Sequence, residues 1–295
     1  MTNYGAETET RIAEVVEALG RYGDRSIVAL AGVPGTGKSF IASIAAQRYA
    51  KEPLLVKEVQ FHQSFSYEEF IEGMRIGKDG GVTVMPGIFL DWNQQAHDDE
   101  DDRKYVLLVE ELTRANLSSV IGELMTYLEY RDRPFFTVYS RRPVTVAKNL
   151  AILATYNPTD RTAIDIDAAL LRRMRIIPFL PSVRQLAEML SGSKLPAAAI
   201  EQLKKLFEAC AGQDDYEYLM PFGHGIFAEV TEEADLHRLW KERIEFFLRR
   251  PLVEPHPFTS VIEKNYPWRD KTYRVPAAEQ AAAQPAAPAT PAASA

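Results

Sequence analysis

The sequence predicts an α/β protein built on a parallel sheet, and three observations carry that expectation. SIVALAG (26–32), a short β-branched run, meets a glycine-rich turn and then the helical KSFIASIAAQRYA (38–50). VKEVQF (56–61), YVLLVEE (105–111) and LAILATYNP (150–158) read as further strands separated by helical patterns. Strands alternating with helices imply βαβ units and a parallel sheet. After Pro181 the period turns helical, over 183–210 and 233–249, with no strong strand between. That shift predicts a second, mostly helical subdomain.

In chain order, Ile12, Val15, Val16 and Leu19 stand at helical spacing, an amphipathic helix over 8–22 ended near Gly20 or Gly23. NLSSVIGELMTYLEY (116–130) continues as a helix after the acidic strand, and FFTVYSRRPVTVA (135–147) reads as a hairpin. The acidic run Asp98–Asp102 fits a solvated loop tip. From Pro251 the chain is dotted with prolines and aromatics and is expected to be extended. The Ala/Pro-rich residues 277–295 have no large side chains to bury and are expected to be disordered. The expected organisation is an αβα nucleotide-binding subdomain over 1–181, a helical lid over 182–250, an extended segment over 251–276 and a tail over 277–295.

Composition narrows the class. With 34 basic and 41 acidic residues the net charge is −7, which argues against a stand-alone duplex-binding module. One cysteine, Cys210, excludes an intramolecular disulfide and fits a reducing cytoplasm. No apolar stretch approaches the roughly 18–20 residues that span a bilayer, and the N-terminus lacks signal-peptide character. The expectation is a cytoplasmic protein without a membrane segment. The five histidines show no zinc-ligand spacing.

GVPGTGKS (32–39) matches G-x-x-x-x-G-K-[ST] in full, between a strand and a helix. Each part has a chemical reason. Gly35 and Gly37 let backbone N–H groups turn inward around phosphates. Lys38 places a point charge on the β- and γ-phosphates, and Ser39 offers a hydroxyl to Mg²⁺. The helix that follows aims its positive N-terminal end at the same anion. Gly32, Pro34, Gly35, Thr36, Gly37, Lys38 and Ser39 are the expected nucleotide contacts, and a P-loop NTPase is the expected fold.

The strand YVLLVEE ends in two adjacent carboxylates, which repel unless something cationic sits beside them. In P-loop NTPases a second strand carries such acids, the first for Mg²⁺ and the second for the attacking water. Glu110 takes the metal position and Glu111 the base position. Glutamate stands at 110 where aspartate is usual, moving the carboxylate by about 1.5 Å, one C–C bond. Asn157, at the end of its strand, can hold a water between Glu111 and the phosphate, or can start an Asn-Pro turn. Arg172 and Arg173 follow an apolar helical stretch; they fit an arginine finger or a solvated face.

This order of motifs resembles the AAA+ ATPases, in their dynein-related branch that contains the McrB-like motors of modification-dependent restriction. QFHQSFSYEEFIEG (60–73), GIFLDWNQQA (87–96) and TRANLSSVIGELMTYLE (113–129) are similar to segments of that family. YNPTDRT (156–162) resembles its Asn-Thr-Ala-Asp-Arg-Ser signature, aligning Asn157, Asp160 and Arg161 as nucleotide-site residues, and GHGIF (223–227) resembles a lid motif. The resemblance spans about residues 25–250 and implies a homo-oligomeric ring, hexameric, with nucleotide between neighbours. It also implies a partner such as a nuclease subunit or a von Willebrand-type domain protein, with nucleic acid contacted indirectly. Pro158-Thr159 departs from the signature, so ATP is favoured over the family's GTP. About thirty residues precede the P-loop, so target reading is expected of a partner, the oligomer or an inserted loop. A nucleotide-dependent scaffold with negligible turnover and a small-molecule kinase are the competing classes. The arginine pair and the helical C-terminal part argue against the kinase.

Overall fold

The computed structural model describes residues 4–77, 80–158, 166, 168–213, 220–249 and 256–274. The chain forms two compact units, Met1–Leu180 and Pro181–Ala295.

The first unit is organised by a five-stranded sheet. Its strands are β1 (Ile27–Ala31), β2 (Val56–Gln60), β5 (Tyr105–Glu110), β8 (Leu150–Tyr156) and β9 (Met174–Pro178). They run in the order β2-β5-β8-β1-β9, with every pairing parallel. In β1, β5 and β8 every residue is buried, which is why IVALA, YVLLVE and LAILATY are continuous runs without alternation. The edge strands β2 and β9 keep exposed positions. Helix α1 (Ala6–Tyr22) buries Ile12, Val15 and Leu19 and stops at Gly23. Helix α2 (Lys38–Ala50) buries Ala42, Ala45 and Ala46, small side chains that allow close approach to the sheet.

The helix expected over 116–130 is broken. Gly122 takes φ 54°, a left-handed value that interrupts the helical path, leaving α5 (Leu117–Ile121) and α6 (Leu124–Tyr127). Three further elements carry no strong sequence signal: a hairpin of β3 (Glu72–Ile76) and β4 (Val82–Pro86), the helix α4 (Ile88–His97), and β9. The hairpin keeps Met74, Ile76 and Val82 exposed, so no buried periodicity marks it. Helix α4 is pegged to β5 by Trp92, whose Nε1 donates to Val106 O at 3.1 Å. The second hairpin pairs only Phe135–Phe136 (β6) with Pro143–Val144 (β7). In the acidic run Asp98–Asp102, Asp99 is the exception to exposure. Its carboxylate accepts from Arg103 and from the Tyr105 hydroxyl, and the Arg103 bonds hold it down to about 2.

One buried cation staples three segments. Arg131 donates to the carbonyls of Gly23, Leu128, Ala147 and Leu150. Burial lowers its pKa to about 10, so it stays charged at neutral pH. Arg131→Met leaves those buried carbonyls without their donor and should cost about 3 kcal/mol. Lysine has no planar fork and should rescue only in part. Denaturant midpoints at constant slope measure this, and a methionine variant within about 0.5 kcal/mol of the parent would contradict the staple.

The second unit is helical, as the period predicts. It contains Val183–Leu190, Ala197–Ala211 and Glu233–Leu239; the last runs through a π-turn, Trp240–Ile244, into Glu245–Arg249. The segment expected to be extended over 251–276 differs: its described part, 256–274, contains the helix Thr259–Asn265 and a 3₁₀ turn, Pro267–Arg269. Its aromatics are core. Tyr266 stacks on Trp240 at 5.4 Å and its hydroxyl donates to Leu236 O, while Trp268 is fully buried. The aromatics Phe258, Tyr266 and Trp268, read as part of an extended appendage, instead join this unit's apolar cluster. Among the described residues no helix is long and apolar enough to cross a membrane. The tail 277–295 lies outside the described residues.

Candidate functional site

Three parallel strands deliver the site to one sheet end. The register pairing Ala31 with Tyr156 lets Gly32 N–H donate to Tyr156 O at 3.3 Å, beside Asn157. The register pairing Val109 with Ala154 sets Glu110 alongside Thr155. The P-loop, the acidic pair and Asn157 therefore all leave the carboxyl ends of β1, β5 and β8, where open α/β sheets bind ligands.

The loop between β1 and α2 owes its shape to its small residues. Gly35 and Gly37 sit at φ 78° and 80°, the left-handed region that favours glycine. A Cβ on Gly32 would meet Phe179 O at 2.0 Å. Thr36 buries its side chain and donates to Val33 O, leaving only its backbone for a ligand, while Pro34 is exposed. Lys38 opens α2, and its Nζ donates to Gly32 O at 2.7 Å and Val33 O at 3.0 Å. Burial pulls its pKa down to about 8, against the opposing pull of Glu111 and Glu110.

Glu110 is 9% exposed. Its Oε2 accepts from Ser39 Oγ at 2.7 Å and from the Thr155 hydroxyl. The same Thr155 oxygen accepts from Glu111 N–H at 3.3 Å. Glu111 is half-buried in a left-handed conformation (φ 56°, ψ 45°), and Arg114 Nε lies 3.5 Å from its Oε2. Thr155 and Arg114 were not expected from the sequence. Strand period placed Thr155 on the same side of β8 as Asn157, the one available signal for it.

The paired arginines separate. Arg172 is exposed, with no ion pair to a described residue. Arg173 is 7% exposed; its Nη1 donates to Ala169 O, and its Nε lies 3.2 Å from Glu129 Oε2, misaligned for a hydrogen bond, so the contact is ionic. Of the two finger candidates, Arg172 is thus the exposed one and Arg173 the one tied to Glu129 within its own subunit. Asp160 and Arg161 lie outside the described residues. In the second unit, His224 of GHGIF is buried, and its Nδ1 accepts from Ser182 N–H. Desolvation lowers its pKa to about 4, so it is neutral.

The oxygen donors fit magnesium. That ion binds through one or two carboxylates, with substrate phosphates and water completing its shell. Ser39 and Glu110 supply a hydroxyl and a carboxylate in mutual contact. Among the described residues no group of three or more acidic, histidine or cysteine side chains is placed to hold a metal.

The chain is 35% identical, over 187 residues, to the Type IV methyl-directed restriction enzyme EcoKMcrB subunit of Escherichia coli (strain K12). That match covers 60% of this chain and 40% of the relative, so the chain spans well under half of that protein's length. A crystal structure from Cytophaga hutchinsonii, named for a presumed ATPase activity, aligns with 69% of this chain and 70% of its own, at 14% identity and a TM-score of 0.36. The sequence matches the AAA domain (dynein-related subfamily) over residues 27–174, half of the chain. With its P-loop and acidic strand end at one sheet edge, the chain belongs to the dynein-related AAA family and is a P-loop nucleoside triphosphatase.

Proposed function

We propose that the chain is the motor of a ring-forming, magnesium-dependent ATPase in a cytoplasmic assembly, whose hydrolysis drives or regulates a partner protein. The observation that carries the reading is the convergence of Lys38, Ser39, Glu110 and Glu111 at the carboxyl ends of β1 and β5. Lys38 exchanges its loop carbonyls for the β/γ-phosphates, and the backbone from Gly32 to Ser39 cradles them. Ser39 and Glu110 hold the magnesium, which when bound neutralises charge on the transferring phosphoryl group. Glu111 orients and deprotonates the attacking water, with Asn157 beside it. The family resemblance would add Asp160 and Arg161 to the nucleotide contacts, and Arg172 of a neighbour completes the site. Residues 182–250 act as the helical lid. The restriction-enzyme relative supports a nuclease subunit as partner, with nucleic acid reached indirectly, and the family resemblance supports a hexameric ring. A von Willebrand-type domain partner is the other candidate, and the neighbouring genes distinguish the two.

Steady-state phosphate release with ATP and with GTP tests the reading. Activity should require magnesium and be abolished by chelation, with ATP preferred. Lys38→Ala should weaken nucleotide binding by about 100-fold, the loss of one charge-assisted contact. Calorimetry that finds unchanged affinity in this variant would show that the loop does not read phosphates. Magnesium-dependent binding without turnover would instead identify a nucleotide-gated scaffold.

A further inference from the structure

We propose that Thr155 is a positioning residue for the acidic pair, with one hydroxyl fixing both glutamates. A threonine hydroxyl has one proton to donate and lone pairs to accept with. Here the proton goes to Glu110 Oε2, and a lone pair takes Glu111 N–H. Thr155 is 2% exposed, on the central strand β8, so it is a rigid anchor. Ser39, Glu110's other donor, is exposed and is committed to the metal in the proposed site.

Two features make this junction more than core packing. Glu111 holds φ 56°, a conformation that residues with a side chain rarely adopt and keep only where their surroundings over-determine it. Its backbone N–H on Thr155 supplies that constraint and sets the direction in which the carboxylate leaves the strand. The second feature is the glutamate at 110. Its longer side chain spans from β5 to the Thr155 and Ser39 hydroxyls together. Aspartate would draw the carboxylate back by about 1.5 Å. Glu110→Asp would be neutral or improving if the longer side chain merely displaced the metal; the Thr155 contact predicts a loss instead. Glu110 and Thr155 work as a unit.

This inference rests on the proposed roles of Glu110 and Glu111, and its test separates the two. Thr155→Val keeps shape and removes the hydroxyl, whereas Thr155→Ser keeps the hydroxyl. Three readouts apply to each full-length variant: kcat and KM for ATP with magnesium, the melting temperature, and hydrogen exchange at the Glu111 amide. Thr155→Val should lower kcat by about 30-fold with KM within about threefold, since a small misplacement of reacting groups costs rate before affinity. The Glu111 amide should exchange at least about tenfold faster. Thr155→Ser should keep all three readouts near the parent. Glu110→Asp should lower kcat, and adding Thr155→Val to it should cost much less than in the parent, the non-additivity of groups in contact. Parental kcat in Thr155→Val, parental exchange at Glu111, serine failing as badly as valine, or additive losses in the double variant would each overturn the proposal. If the parent shows no hydrolysis, the motor reading fails, and the Glu111 exchange comparison still decides whether Thr155 holds the pair.

Discussion

Glu111→Gln is expected to slow hydrolysis by about 10³-fold while nucleotide stays bound, because an amide keeps the shape of the side chain but cannot take a proton. The geometry favours Glu111 over Glu110 for this role. Glu110 is buried, and its Oε2 already accepts two hydroxyl protons, from Ser39 and Thr155. Glu111 is half-exposed, and among the described residues Arg114 lies 3.5 Å from its carboxylate. Glutamine at 111 should therefore trap a nucleotide-bound assembly, visible as oligomer that persists with nucleotide on a sizing column. Glutamine at 110 should have a different signature: magnesium should no longer tighten nucleotide binding. Direct titration of a fluorescent nucleotide with and without magnesium separates the two. If Glu111→Gln turns over at the parental rate while Glu110→Gln does not, the assignment of roles is reversed.

What could be read from the residues follows from what buries them. IVALA, YVLLVE and LAILATY are continuous buried runs, apolar except for Glu110 and Thr155, because the sheet is covered on both faces, and such runs are visible in sequence. The P-loop is equally legible, since its glycines answer a backbone requirement at fixed positions. The hairpin of β3 and β4 was hidden because Met74, Ile76 and Val82 face outward, so no alternation between core and solvent marks those strands. Tyr266 and Trp268 misled in the opposite sense. Flanked by prolines, they looked like an extended strap, yet they fill the second unit's core. Strand period alone gives Thr155 no role, because its partners, Glu110 and Glu111, are set by strand pairing across 44–45 residues of chain.

The same limit applies to Arg172 and Arg173, which are alike in sequence and opposite in structure. Arg172→Ala should cost about 10³-fold in turnover with binding largely kept, as expected when a charge-stabilising arginine is removed from a phosphoryl-transfer site. Arg173→Ala breaks the ionic contact to Glu129 and the bond to Ala169 O, at the turn that leads into β9. It should lower the melting temperature, and turnover should fall only as far as the displaced turn misplaces Arg172. A finger acts between subunits, so activity per chain should rise with protein concentration. Mixing then decides the point. Equal amounts of Glu111→Gln and Arg172→Ala chains are each inactive, but a mixed ring contains interfaces that pair an intact Glu111 with an intact Arg172. For random mixing in a head-to-tail ring, about one quarter of the parental activity should return. Arg172→Ala with parental turnover would sink the finger outright. Rings shown to be mixed that stay inactive would exclude its action across the interface, leaving Arg172 to act, if at all, within its own subunit.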